Sequence, residues 1–237
     1  MSRHLPETDL ANYAFLPVAT KEARLLDWLK PRKITRSYEP FRQNLGDTVN
    51  AQLPLLEDEQ TATTWSTLEN LVAKKCGADE ILLKMNLAVA KATHSFAVNN
   101  NIKAEKTDVR SLTLVHGHPY DFSMPLLLRY DGRVVVAFTD LRRTGCLSVH
   151  AQRVVFSILH ERFRVNFPGF ERLGLEVWKY ANTEARTISA IRHGSEPLYS
   201  YEELQSDFTE TYDILNQLMR GLGRPSQLGP GPLFGNG

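Results

Sequence analysis

Two aspartates bracket the strongest turn signal in this 237-residue chain. Asp121 closes the run His118-Pro119-Tyr120-Asp121, and Asp140 opens the run Asp140-Leu141-Arg142. Between them stands Asp131-Gly132, the residue pair that a two-residue hairpin turn demands and that fully explains Asp131 itself. Nine positions separate Asp131 from Asp140 and ten separate it from Asp121, so antiparallel strands meeting at that turn bring both outer carboxylates to one end of the hairpin. Oxygen ligands of this kind hold Mg²⁺ or Mn²⁺ together with water and a substrate phosphate, and the ion can then activate water for attack on phosphorus. Arg142 carries the planar fork that grips phosphate oxygens in pairs. Metal-assisted phosphodiester hydrolysis is the chemistry this spacing could do, with Asp121 and Asp140 on the metal. The same aspartates suit turns and caps, and Asp140 could equally pair with Arg142 or Arg143 for structural reasons.

The elements that must position these groups follow from periodicity. Residues 111–115, 125–130 and 133–139 are rich in leucine and β-branched side chains and are expected as strands, the last two joined through Asp131-Gly132. A helix is expected over 147–163, with Val154, Val155, Ile158 and Leu159 inward, followed by strands over 173–180 and 185–191. Upstream, Thr20 is expected to cap a short helix that Pro31 stops, and residues 33–59, which contain Pro40, Gly46 and Pro54, to form a loop or wrapping arm. Trp65, Leu68, Leu71 and Val72 recur at helical spacing up to Gly77, and a second helix is expected from Asp79 to the Asn99-Asn100-Asn101 run. Ser200 and Glu203 make a capping box for a last helix whose stripe is Leu204, Phe208, Tyr212, Leu215 and Met219. Nine of the seventeen residues from Gly221 onward are Gly or Pro, the composition of a disordered tail. The fold class expected is therefore α+β, a central mixed sheet of about four to five strands with flanking helices. Its parts are an N-terminal helix and irregular arm over 1–60, the α/β core over 61–220 and the disordered Gly/Pro-rich tail over 221–237.

From Leu71 onward the expected order is helix, strand, strand, strand, helix, strand. With the two carboxylates at the hairpin ends, this succession resembles the core of the PD-(D/E)XK nuclease superfamily, and its RecB-like members in particular, over about Leu71 to Tyr180. In that family Pro-Asp at the hairpin entrance is followed by an acidic residue, one spacer and a Lys. Asp121 and Asp140 match by type, while Tyr120 is inserted after Pro119 and Arg142 stands where Lys is expected. The resemblance further implies a site-orienting glutamine on the next helix with an aromatic residue four positions on; Gln152 and Phe156 match, with Phe for the usual Tyr. It thus implies Asp121, Asp140, Arg142 and Gln152 as the catalytic group, Asp121 and Asp140 as the Mg²⁺ or Mn²⁺ ligands, and nucleic acid as the partner.

Composition narrows the classes further. With 28 Lys and Arg against 27 Asp and Glu, the chain cannot coat nucleic acid by bulk charge. The balance is uneven, though: residues 111–180 hold 9 basic and 6 acidic side chains, eight of the nine being Arg, whereas 181–237 hold 4 and 7. Apolar runs are far shorter than a membrane span, the first thirty residues lack a signal-peptide core, and Cys76 and Cys146 make no CxxC pair; an intracellular location is expected, with no membrane partner. Lesser candidates are His116 and His118 beside Asp121 as a metal set, and Cys146 with His150 as an activated thiol. Two functions follow. One is a nucleic-acid-processing protein, either a metal-dependent phosphodiesterase or a degenerate binder that no longer cuts; the alternative is a non-enzymatic protein-interaction module that docks a partner through the C-terminal helix and tail.

Overall fold

The computed structural model describes residues 4–31, 37–52, 62–115, 118–122, 124 and 126–222. Within these, the mixed sheet with flanking helices expected from the sequence is the architecture. Its strands are β1 (Ala51–Gln52), β2 (Lys103–Lys106), β5 (Leu126–Tyr130), β6 (Arg133–Asp140), β7 (Gly174–Tyr180) and β8 (Ile188–Arg192), in the spatial order β1-β2-β5-β6-β7-β8. A separate two-stranded ribbon pairs β3 (Leu112–Val115) with β4 (His118–Tyr120). The expected hairpin is present: β5 and β6 run antiparallel around Asp131 and Gly132, whose φ values of 53° and 67° are those of a primed turn. Neighbours β6 and β7 are parallel, so the chain must cross over between them, and the helix α7 (Val149–Leu159) makes that crossing.

Alternation along the central strands divides the core into two layers. Val136, Phe138, Leu175 and Val177 face α1 (Glu7–Tyr13), α2 (Val18–Leu29), α7 and α8 (Tyr201–Leu222). Val135, Ala137, Trp178 and Tyr180 face α3 (Glu39–Gln43), α4 (Leu45–Thr48), α5 (Trp65–Cys76) and α6 (Glu80–Asn99). A strand covered on both faces needs apolar residues at every position, which is why 134–138 is a continuous apolar run.

Helix boundaries follow local chemistry. Thr64, Asp79 and Ser148 each accept a hydrogen bond from the third residue of the helix they start, and Ser200 and Glu203 exchange the two bonds of a capping box. Thr20 lies inside α2, which begins at Val18: Pro17 is the last extended residue before it, with a ψ of 142°, and stands at the N-cap. Two helices and a short strand, α3, α4 and β1, occupy part of the stretch expected as loop or arm; residues 33–36 and 53–59 of it lie outside the described residues, as does the tail from 223. After Leu159 the crossing helix widens into a π-helical turn, His160–Val165.

Candidate functional site

Where two parallel strands are joined by a helix, their carboxyl ends and the helix N-terminus form the usual ligand crevice. Here that place is the end of β6 at Asp140, the end of β7, and the loop 141–148 leading into α7. The polar side chains in it are numerous, and their bonds run inward.

Asp140 is fully buried. Its Oδ2 accepts the Leu147 backbone N–H at 2.7 Å, closing the loop before α7, while Oδ1 has no hydrogen-bond partner among the described residues. Burial pushes this carboxyl above the ordinary aspartate value, against the opposing pull of the Leu147 and Arg142 amides and the Arg142 and Lys179 charges. Arg142 forks Asp9 of α1, with contacts of 2.5 and 2.8 Å. Gln152 is buried and donates to the Leu147 carbonyl at 3.4 Å. Around them the N-terminal segment fills the crevice mouth: Asn12 accepts from Ser148 N–H (3.1 Å) and donates to the Cys146 carbonyl (3.3 Å), and His150 Nε2 donates to the Ala14 carbonyl (3.0 Å).

Asp121 has a different setting. Its side chain is 60% exposed and takes a hydrogen bond from Ser111 (2.7 Å) and an ion pair with Arg162 (3.1 Å). Arg162 itself is almost wholly buried in the π-helical turn, and it also donates to the backbone carbonyls of Asp121, Val109 and Arg110. Glu7 binds the Asp121 and Phe122 N–H groups at 3.1 and 2.8 Å. Asp121 and Asp140 thus answer to separate sets of partners. Among the described residues, no three His, Cys, Asp or Glu are gathered as a metal-holding group.

The lesser candidates are likewise engaged or outside view. The Cys146 thiol donates to the Arg142 carbonyl (3.1 Å), and burial together with the Asp140 charge pushes it up, away from thiolate. His116 and the His118 side chain lie outside the described residues. Sequence reasoning missed Asp9, Asn12 and Glu7, whose bonds reach more than a hundred positions along the chain.

Fold and site together define an α+β chain whose strand-end polar groups bond to the loop before α7 and to the chain's own N-terminal segment. A family model described as the sliding clamp-binding bacterial toxin SocB matches residues 8–221. The DNA replication inhibitor toxin SocB of Caulobacter vibrioides (strain NA1000 / CB15N) is 28% identical over 223 residues, 92% of each chain. The chain belongs to the SocB family. No solved structure matches it.

This membership corrects the nuclease expectation. The chain is not a PD-(D/E)XK protein: an order of helix and strands with two aspartates at the ends of a hairpin recurs by chance, because aspartate is also the residue that caps and turns need. The nuclease and hydrolase expectations and the nucleic-acid-processing role lose their support with that resemblance, and the family match favours the alternative reading, a protein-interaction module. Among the described residues, no helix is long and apolar enough to cross a membrane.

Proposed function

We propose that this chain acts inside the bacterial cell by binding a sliding clamp, and that this contact inhibits DNA replication. The observation that carries the reading is the family match, which spans residues 8–221 and so takes in nearly all of both core layers. Its described structure supports a binding role in a further way: apart from Asp140 Oδ1, the crevice polar groups described above bond within the chain, which turns recognition toward the surface and the connecting segments.

Protein recognition by a short segment needs a few apolar anchors on an extended backbone. The stripe of α8 does not supply them, since Leu204, Phe208, Tyr212 and Leu215 are buried in the core. Two stretches of sequence carry suitable anchors. Leu53-Pro54-Leu55-Leu56 follows β1 directly, holds a proline that disfavours helix and is succeeded by Glu57-Asp58-Glu59; Leu228, Leu233 and Phe234 follow α8. We assign the clamp contact to the first, whose leucines are contiguous rather than spread among glycines, since each Gly ordered on binding costs the most backbone entropy.

Purified bacterial sliding clamp on a biosensor tests both statements. Wild-type protein should bind and, when expressed in bacteria, should arrest DNA synthesis. Leu55→Ala with Leu56→Ala should weaken binding by about tenfold or more, the scale of a truncated hot spot. A chain ending at Leu222 should bind as wild type does. Loss of binding only on that truncation would move the contact to the tail, and no binding by any form would sink the proposal.

A further inference from the structure

Strand β8 closes one side of the sheet, and among the described residues its outer edge carries neither a proline nor a bulge. The ladder to β7 pairs Val177 with Ile191 and Lys179 with Ser189. At its two ends His193 N–H donates to the Leu175 carbonyl (3.0 Å) and Ala181 N–H to the Thr187 carbonyl (2.9 Å). In an antiparallel ladder, bonded and non-bonded pairs alternate. Thr187, Ser189, Ile191 and His193 therefore spend their backbone groups on β7, and Ile188, Ala190 and Arg192 point theirs outward. Among the described residues, no strand lies beyond β8. Natural proteins protect such edges with proline, a bulge or a free charge. Residues 188–192 include no proline or glycine and keep one register throughout. The single charge, Arg192, is held by Glu176 (3.1 Å) and Asp131 (3.3 Å).

We infer that this edge pairs with the same edge of a second copy of the chain, forming a two-fold antiparallel β8–β8 ladder. The three outward residues are symmetric about Ala190. Two-fold pairing sets Ala190 against Ala190 and Ile188 against Arg192, so every outward N–H meets an outward carbonyl, roughly six bonds in all, and no like charges are opposed. Among the described residues the opposite edge, β1, offers Ala51 and Gln52, a poor match in length for β8 in head-to-tail growth. The strand is also held ready: Ile188 and Ala190 pack on one core layer and Ile191 on the other, so little ordering remains to be done on association.

Analytical ultracentrifugation across a concentration series tests the pairing independently of the clamp. The mass should rise from 26.9 kDa toward twice that value, and the amides of Ile188, Ala190 and Arg192 should gain hydrogen-exchange protection as it does. Ala190→Pro removes an outward N–H without touching the β7 ladder, and Ser189→Lys places a guarding charge on the exposed face should the proline variant fold poorly. Each should weaken self-association by at least about tenfold, or 1.4 kcal/mol, with an unchanged circular dichroism spectrum for the lysine variant. A monomer throughout the series would overturn the inference, as would dimerisation that ignores both substitutions. Clamp binding that is lost in Ser189→Lys while self-association persists would give the edge to the clamp instead.

Discussion

At the scale of single residues, Asp140 and Arg142 are the instructive pair. Both carry the chemistry that suggested a phosphate site, and each is occupied by a neighbour that ties the fold together. Burial raises the Asp140 carboxyl above its unfolded value, so the native state keeps a proton that the unfolded chain has already released. Stability from this source is complete below the unfolded value and is lost as pH rises through the folded one. Asp140→Asn retains an acceptor for Leu147 N–H and escapes that loss. Urea titrations should therefore show the variant gaining on wild type as pH is raised from about 3 to about 7; a relative loss over that range would mean the charged form is the favoured one. Arg142→Ala strands the Asp9 carboxylate, only 6% exposed, without its guanidinium. Breaking a buried pair from one side costs about 3 kcal/mol, so the urea midpoint should fall, and Arg142→Lys should recover part of it because an ammonium cannot fork both oxygens. Clamp affinity of the folded fraction should be unchanged in both, whereas a phosphate-contacting role would have left stability alone.

Among the elements, the parallel β6–β7 pair decides most of the architecture. Its close approach is set at Gly174, where an added Cβ would lie 2.6 Å from Val135 Cγ1 and 3.4 Å from the Val134 carbonyl oxygen. Gly174→Ala should cost about 1–3 kcal/mol by forcing the two strands apart, seen as a lower thermal midpoint. A neutral result would show that Val135 can turn its methyl aside. The crossing helix was legible from its apolar spacing. Its π-helical end was not, because the widened turn depends on Arg162 reaching the carbonyls of residues 109, 110 and 121, none of them near it in sequence. The hairpin, both helices of the α5–α6 pair and the capping box were legible for the opposite reason: each rests on residues within four positions of one another.

Across the whole molecule, the N-terminal segment is part of the core rather than an appendage to it. Leu5, Leu10, Ala11 and Ala14 are fully buried, Leu5 N–H donates to the Tyr212 hydroxyl (3.0 Å), and Lys21, wholly buried, pairs with Asp207 (2.7 Å) and Glu210 (2.5 Å) of α8. Removing residues 1–16 should abolish the cooperative thermal transition, since it uncovers this apolar surface; a truncated chain that still melts sharply would show the segment to be dispensable. What the sequence determined by itself was local: where strands alternate, where helices begin and the class of fold these compose. Partner choice was decided only by the tertiary structure. Asp140 and Arg142 advertise the same chemistry whether or not a ligand awaits them, and it is Asp9, 133 positions from Arg142, and the N–H of Leu147 that spend it on the fold. A side chain's type sets what it can bind, but burial and the nearest opposite charge set what it does bind, and both depend on contacts that no local pattern records.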